Sequence, residues 1–338
     1  MHAAVGDAVP LTVLTGFLGA GKTTLLKRIL QEPHGLRIAV LVNDFGPINI
    51  DAALITEVSD DVVSLSNGCV CCSIRDDLVE AVTRAIDRPE RPDYIVLEAS
   101  GVAEPAGILA TFADEQLRDR IRLDTVACVV DASTFLVDND LTEFKATQAA
   151  FSDLLILNKT DIAGEAGMLP VRQWIARRFH RCRVIECEQA DVPLAILLSA
   201  GTTESRSGAP IAASRMRCGC AMAPCLHTGT QSQAHLARFA TWGFETEKPL
   251  ALEAVRTAAL ALPVGIYRAK GVLQLTGRRR AVLHVVGKRV DIVVDYQAGH
   301  GIGSSSIVAI GKHGSWSEAG LRQHFMAGAA QEDVACAA

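Results

Sequence analysis

The sequence predicts an α/β fold, a mostly parallel sheet flanked by helices, joined to a small C-terminal α+β domain. Three observations lead there. Short apolar, β-branched runs alternate with helix-like segments over the first 200 residues, the pattern of parallel strands linked by crossover helices. Near residue 200 the texture turns to Gly, Ser, Thr, Ala, Cys and Gln with little periodicity, which reads as a linker. A second set of strands and helices follows, and 338 residues exceed what one hydrophobic core ordinarily organises.

In order, strands are expected at 11–15, 38–42, 62–65, 94–97, 125–130, 154–157 and 184–186. Helices are expected at 22–30, 76–86, 105–112 and 171–179, the third opened by Pro105. Together they define a first domain over residues 1–200, followed by a Cys- and His-containing linker at 201–236. The second domain, 237–322, takes strands at 238–244, 264–269, 281–286, 290–294 and 306–310, with a Pro-started helix over 249–262. Gly287-Lys288 turns the hairpin between the third and fourth of these strands. An Ala-rich tail, 323–338, ends the chain.

Composition narrows the function. Hydrophobic residues make up 49% of the chain and charged residues 21%, which fits a globular protein and excludes extensive disorder. A net charge of −5 supplies no basic field for nucleic acid or an anionic membrane, so the expected partner is a small molecule or a protein. Residues 1–10 carry neither a basic nor a long apolar stretch of the kind that directs export, and no run of 18 apolar residues occurs. The expected location is therefore cytoplasmic. Thiols stay reduced there, so clustered members of the ten cysteines read as metal or redox sites rather than disulfides.

The segment Gly16-Phe17-Leu18-Gly19-Ala20-Gly21-Lys22-Thr23-Thr24 satisfies G-x-x-x-x-G-K-[ST] and lies between an expected strand and an expected helix. The glycines let successive backbone N–H groups turn toward phosphate oxygens, and the following helix adds its positive N-terminal end. Lys22 is placed to reach the β and γ phosphates and Thr23 to ligate Mg²⁺. A base-reading element follows a later strand, as Asn158-Lys159-Thr160-Asp161. A carboxylate there accepts from guanine N1–H and the exocyclic amine, whereas adenine presents a lone pair and leaves a buried charge unpaired. GTP is thus favoured over ATP.

Between these motifs, the strand at 94–97 ends in Glu98-Ala99-Ser100-Gly101, on the sheet edge where ligands of open α/β folds collect. Glu98 is placed either to hold Mg²⁺ through water or to orient the attacking water, and the Gly101 backbone to sense the γ-phosphate. Asp44, after the second strand, is a further candidate for the Mg²⁺ sphere, or belongs to a turn with Asn43 and Gly46. Asp131 follows a strand without an assigned role.

Gly68-Cys69-Val70-Cys71-Cys72 places three thiols within four residues, after the strand at 62–65 and before the helix at 76. As buried hydrophobes these thiols offer nothing that Ala or Val lacks, whereas thiolates bind soft or borderline cations tightly. Three sulfurs leave a tetrahedral ion one open position, the arrangement of an exchangeable rather than a structural site. Thiolate sites accept Zn²⁺, Co²⁺, Fe²⁺ and Ni²⁺, and the expectation here is zinc or cobalt first and iron next; buried or redox cysteines are the other reading.

The order GFLGAGKTT, NGCVCC, EASGVAEP and NKTD resembles the CobW-type metallochaperone GTPases, relatives of UreG and HypB, over nearly the whole chain. The resemblance implies that Cys69, Cys71 and Cys72 take the metal, residues Gly16 to Thr24 the phosphates and Mg²⁺, and Asn158 with Asp161 the guanine. It also implies a GTPase that delivers its metal to a client metalloprotein. Phosphoryl transfer rests on positioning and charge neutralisation, so turnover without the client is expected to be slow, and a homodimer is a further expectation. The family commonly has Glu where Asp44 stands and Thr where Ala99 stands, so whether Asp44 reaches Mg²⁺ directly or through water stays open. Where many members carry a His-rich tract, this chain has Cys218, Cys220, Cys225, His227 and His235, either a metal-loading loop or a linker with incidental cysteines. Two rival readings remain: a P-loop kinase acting on a small molecule, against which N-K-x-D and the triple cysteine speak, and a non-catalytic metal store or sensor. Arg278-Arg279-Arg280, His300, His313 and His324 read as surface or satisfied residues.

Overall fold

The computed structural model describes residues 8–42, 62–64, 73–112, 114–137, 139–179, 182–198, 238–295 and 304–326. The chain divides into two compact units, Met1–Ala200 and Gly201–Ala338.

In the first unit the strands are β1 (Val9–Thr15), β2 (Ile38–Val42), β3 (Val62–Ser64), β4 (Tyr94–Glu98), β5 (Ile121–Asp131), β6 (Leu154–Asn158) and β7 (Arg183–Glu186). They pair in the order β3-β2-β4-β1-β5-β6-β7, every pairing parallel. The helices between them are α1 (Lys22–Gln31), α2 (Ser73–Ile86), α3 (Pro105–Thr111), α4 (Asn139–Ala150) and α5 (Thr160–Arg178), with a single turn, α6, at Leu194–Leu197. Strands β1, β2, β4 and β6 are buried along nearly their whole length, as parallel strands covered on both faces must be, which is why they read as unbroken apolar runs. Leu78, Ala81, Val82 and Ala85 of α2 and Ile108 of α3 pack with Leu11, Val13, Leu41 and Leu97 of the sheet. Ala149 of α4 and Val171 and Ile175 of α5 pack with Cys128, Leu155 and Leu157.

The second unit is a five-stranded antiparallel sheet in the order β11-β10-β9-β12-β8. Its strands are β8 (Phe239–Thr246), β9 (Ile266–Leu275), β10 (Arg279–Val286), β11 (Arg289–Asp295) and β12 (Ser305–Lys312), and its helices α7 (Leu252–Leu260) and α8 (Glu318–Met326). The expected hairpin turn is present, with Gly287 at φ 56°. Val255 and Ala259 of α7 and Leu321 and Phe325 of α8 close the core against Trp242, Phe244, Leu273 and Leu283. No described helix is long and apolar enough to cross a membrane.

Several elements differ from expectation, and four of them have a local reason. Helix α5 begins at Thr160 rather than at 171, because Gly164 absorbs a kink (φ 61°, ψ 172°) and the chain then continues as helix through Pro170. Helix α4 has no counterpart in the sequence reading, since its buried positions include Thr142, Lys145 and Gln148 and the apolar periodicity is missing. The helix expected from 249 starts at Leu252, because the Leu250 N–H donates to the Gln274 carbonyl at 2.9 Å and holds the chain extended beside β9. Helix α8 runs through Met326, past the expected tail boundary at 323, and Phe325 is 1% exposed.

Phe325 stacks on Trp242 and meets Phe244 at a tilt, each at 6.0 Å between centroids. Phe325→Ala removes a fully buried ring, at a cost of about 3–5 kcal/mol. Urea unfolding followed by tryptophan fluorescence should show a lower midpoint for the second unit, with the midpoint of the first unchanged.

Candidate nucleotide site

Strand β1 lies at the centre of the first sheet, between β4 and β5, and its C-terminal end feeds the glycine-rich loop. Gly16 takes φ 130°, and a Cβ there would fall 2.0 Å from the Val129 carbonyl oxygen of β5. Gly21 takes φ 107°, and a Cβ there would meet Asn158 Nδ2 at 2.4 Å. A side chain is excluded at both positions by contact and by conformation together. The loop turns through an Ala20 N–H to Phe17 carbonyl bond of 3.3 Å and enters α1 at Lys22. Helix α1 therefore presents its first backbone N–H groups to the loop, with Gly19 and Leu18 exposed at the tip and Thr24 exposed in the first turn. Lys22 is 7% exposed, and its Nζ donates to the Phe17 carbonyl at 3.2 Å.

Glu98 ends β4 beside this loop because β4 pairs with β1 in the register Leu14↔Glu98. The Thr23 hydroxyl donates to Glu98 Oε1 at 2.8 Å, and Glu98 is 2% exposed. A hydroxyl and a carboxylate in contact at the mouth of a phosphate loop are hard oxygen donors, a set that fits Mg²⁺. The turn after Glu98 also touches the loop, since a Cβ on Gly101 would lie 2.7 Å from the Leu18 nitrogen. From the other side, Gln148 of α4 donates through Nε2 to the carbonyls of Gly101 at 3.0 Å and Ala103 at 3.1 Å.

The Asn158-Lys159-Thr160-Asp161 motif starts on the last residue of β6. Asn158 is 2% exposed; its Nδ2 donates to the Ala20 carbonyl at 2.9 Å, and its Oδ1 accepts from the Ala190 N–H at 2.8 Å and from Cys187 Sγ at 3.7 Å. Ala190 and Gln189 hold left-handed backbone angles (φ 56° and 48°) that set this N–H on Asn158. The same loop is tied to α1 by an ion pair between Asp191 and Arg28. Lys159 takes φ 63° at the start of α5, and its Nζ donates to Asp131 Oδ2 at 2.7 Å. Asp131 accepts as well from the Ser133 N–H at 2.9 Å and from its hydroxyl. Burial works against the charge on Asp131, but the Lys159 and Ser133 hydrogen bonds outweigh it and hold its carboxyl below the ordinary range. Asp161 is exposed in the first turn of α5.

The structure thus brings Gly16, Gly19, Ala20, Gly21, Lys22, Thr23, Glu98, Gly101, Asn158 and Lys159 to one edge of the sheet. Asp44, Cys69, Cys71 and Cys72 lie outside the described residues, as do Cys218, Cys220, Cys225, His227 and His235. Among the described residues no group of three His, Cys, Asp or Glu side chains is placed to hold a metal ion. The described cysteines Cys128, Cys182 and Cys187 are buried free thiols. Burial, then the neighbouring Cys182, pushes the Cys128 thiol up to about 12 against the opposing charge of Lys22, so it stays protonated.

Four participants were missed by sequence reasoning: Asp131, Gln148, Arg28 and the 187–191 loop. Asp131 carried a local signal, an Asp at a strand end with Ser two residues on, the pattern of an Asx turn. Gln148 carried another, a polar residue in step with Thr142 and Lys145 where a covered helix ordinarily shows apolar side chains. The Arg28–Asp191 pair and the 187–191 loop are long-range and left no local trace.

Residues 10–185 match the CobW/HypB/UreG nucleotide-binding domain family, and residues 239–328 match the C-terminal domain of the cobalamin synthesis protein CobW. The chain belongs to the CobW/HypB/UreG family. It is similar to "Zinc chaperone CobW" of a Sinorhizobium species, with 35% identity over 58% of this chain and 64% of the relative. It is similar to "Zinc-regulated GTPase metalloprotein activator 1" of Dictyostelium discoideum, with 36% identity over 58% of this chain and 49% of the relative. "Zinc chaperone YjiA" of Escherichia coli is 39% identical over 57% of this chain and 62% of its own length. The matched segments thus span about half to two thirds of these curated relatives. A crystal structure of the zinc-bound YjiA GTPase of E. coli aligns over 95% of this chain and 99% of its own, at 26% identity and a TM-score of 0.44.

In this CobW-family chain the Asp131–Lys159 pair has a pH signature. A depressed folded pKa contributes stability that is fully present above the ordinary aspartate value of about 3.9 and lost as pH falls through the depressed value. Asp131→Asn should therefore lower stability by about 1 kcal/mol at pH 7, a solvent-discounted figure for a charge-assisted hydrogen bond, and by less at pH 3. Urea midpoints of the two proteins at both pH values measure this, and a gap that does not narrow in acid counts against it.

Proposed function

We propose that this chain is a GTP-hydrolysing metallochaperone that binds a transition metal, zinc first, through Cys69, Cys71 and Cys72 and passes it to a client protein according to its nucleotide state. Membership of the CobW family supports the reading, as does likeness to relatives called zinc chaperones and to one called a zinc-regulated GTPase metalloprotein activator. The observation that carries it is local: Thr23 and Glu98 are in hydrogen-bond contact at the head of α1, while Asn158 links the same loop to the segment after β7.

On this reading the backbone of residues 16–24 holds the phosphates, with the α1 N-terminus facing the negative charge. Lys22 moves its ammonium from the Phe17 carbonyl to phosphate oxygens. Thr23, through its hydroxyl, and Glu98 hold Mg²⁺, with Asp44 as a further candidate. When bound, the ion neutralises charge on the β and γ oxygens. Glu98 is buried against Thr23 and is positioned for its ion rather than as a free base. The Gly101 backbone N–H would meet the γ-phosphate. Asp161 accepts from guanine, Lys159 is held in place by Asp131, and the remaining Nδ2 hydrogen of Asn158 is available to the base.

Cys69, Cys71 and Cys72 leave between β3 and α2, and β3 lies two strands from β4, on the same parallel sheet. All strands of a parallel sheet end on one edge, so β3, the strand that precedes the three cysteines in the sequence, ends on the same edge as β1 and β4. GTP binding then orders the loops around the metal, and hydrolysis releases them. The metal is cargo, and the open coordination position left by three sulfurs is where a client ligand enters.

Coupling of this kind is reciprocal, typically 5–150-fold. Zinc affinity measured with a competing chelator should be higher with a non-hydrolysable GTP analogue than with GDP by a factor of that order, and Cys71→Ala should abolish the difference. Equal zinc affinity in the two nucleotide states would remove the chaperone mechanism and leave a guanine-nucleotide-binding protein. Asp161→Ala should weaken GTP by about tenfold or more, the size of a lost hydrogen bond to a charged group, while leaving the weak affinity for ATP unchanged. Phosphate transfer from ATP to a small acceptor would instead favour the kinase reading.

A further inference from the structure

Helix α4 buries three polar side chains along one face, Thr142, Lys145 and Gln148, each at most 7% exposed. All three donate to backbone carbonyls. Thr142 bonds to Phe135 at 3.1 Å and Lys145 Nζ to Thr134 at 2.9 Å, so these two fix the loop that follows β5. Lys145 also stands 5.5 Å over the ring of Phe17 in the phosphate loop, and Phe144 meets the same ring edge-on at 6.0 Å. Gln148 reaches past that loop to the turn after Glu98, where Nε2 spans the carbonyls of Gly101 and Ala103.

The Gln148 contact is unlike packing. Two acceptors take both Nε2 hydrogens, which fixes the orientation of the carboxamide, and Oε1 is left buried with no hydrogen-bond partner among the described residues. Apolar side chains of similar size, Leu or Met, would fill the space without a buried polar atom to satisfy. Glu would turn a carboxylate on two carbonyls. The amide is therefore suited to one task, holding the two carbonyls of the 101–103 turn on the α4 side. With its carbonyls held there, the turn keeps its backbone against the phosphate-loop tip, where a Cβ on Gly101 would lie 2.7 Å from the Leu18 nitrogen.

We propose that Gln148 is a positioning residue for the γ-phosphate side of the site: by clamping the Gly101 and Ala103 carbonyls it sets the Gly101 backbone against the phosphate loop, so that this chain distinguishes GTP from GDP. The inference rests on the GTPase reading given above. Gln148 acts through the turn and touches no nucleotide itself.

The test uses the full-length protein, with fluorescent GDP and a fluorescent non-hydrolysable GTP analogue as probes. Gln148→Met keeps the volume and removes both donors. It should lower the analogue-over-GDP affinity ratio by about fivefold or more, the lower end of ordinary coupling, with GDP affinity nearly unchanged. The turnover number for GTP should fall with it. Gln148→Asn, one methylene shorter and able to reach one carbonyl at best, should fall between, and it carries the test if the Met variant does not fold. In the wild type, amide exchange over 101–103 should be slower with the analogue than with GDP. Equal losses for GDP and analogue, which a purely structural role gives, overturn the proposal, and so does an unchanged ratio or unchanged exchange. If the wild type binds neither probe, the GTPase reading fails and takes this inference with it. If the wild type prefers the analogue and both variants keep that preference, the inference alone fails.

Discussion

The carboxamide of Asn158 joins the glycine-rich loop after β1 to the segment after β7. It ends a central strand at 2% exposure, where each polar atom must find a partner inside the protein. Its Nδ2 takes the Ala20 carbonyl of the phosphate loop and its Oδ1 the Ala190 N–H of the segment after β7. Losing it would leave a buried acceptor and a buried donor at once, each costing about 1–3 kcal/mol. Gly21 follows from the same contact, because any Cβ there would overlap Nδ2. So does the left-handed backbone of Ala190, a conformation unfavourable for a non-glycine residue and held by the bond it permits. The glycine-rich loop and the Asn158-Lys159-Thr160-Asp161 segment are consequently one unit, and a shift in either is felt by the other.

Around that brace the remaining contacts extend the unit strand by strand. Thr23 to Glu98 connects the first turn of α1 to the end of β4, and Gln148 connects the turn after β4 to α4. Lys159 to Asp131 ties the start of α5 to the end of β5. Arg28 to Asp191 returns from the β7 side to α1. Every strand end flanking β1 is thus fastened to a neighbour by a side chain rather than by the sheet ladder alone. A ligand touching several of these ends gains from their being set before it arrives, since less ordering is left to be done on binding.

Much of this was legible in the sequence because it is local. A glycine-rich loop between strand and helix, an acid after the fourth strand, and N-K-x-D after the sixth each follow from a short run of residues and the periodicity around it. Fully covered parallel strands declared themselves as apolar runs, and β1, β2, β4 and β6 fall close to where those runs lie. The failures have a common physical form. Helix α4 turns its polar side chains inward to serve loops, so the pattern that identifies a helix is inverted there. Helix α5 tolerates a glycine kink and a proline because tertiary packing of Met168, Val171 and Ile175 overrides local propensity. Helix α8 is short and Ala-flanked, and its signal is one aromatic residue, Phe325, whose partners Trp242 and Phe244 lie far away in the sequence.

The inverted face of α4 also bears on how such a site can respond to a third phosphate. Apolar packing is nondirectional, so a turn held by it alone settles into one position set by volume. Hydrogen bonds from a fixed amide to two successive carbonyls are directional, and they define one orientation of the intervening peptide groups. A buried Oε1 without a donor among the described residues raises the energy of that arrangement, which leaves room for a modest interaction at the Gly101 N–H to shift the balance. A turn built this way is stiff in one setting without being locked in it. The same polar side chains that hid α4 from sequence reasoning are, on this view, what allow the turn after Glu98 to register the difference between two phosphates and three.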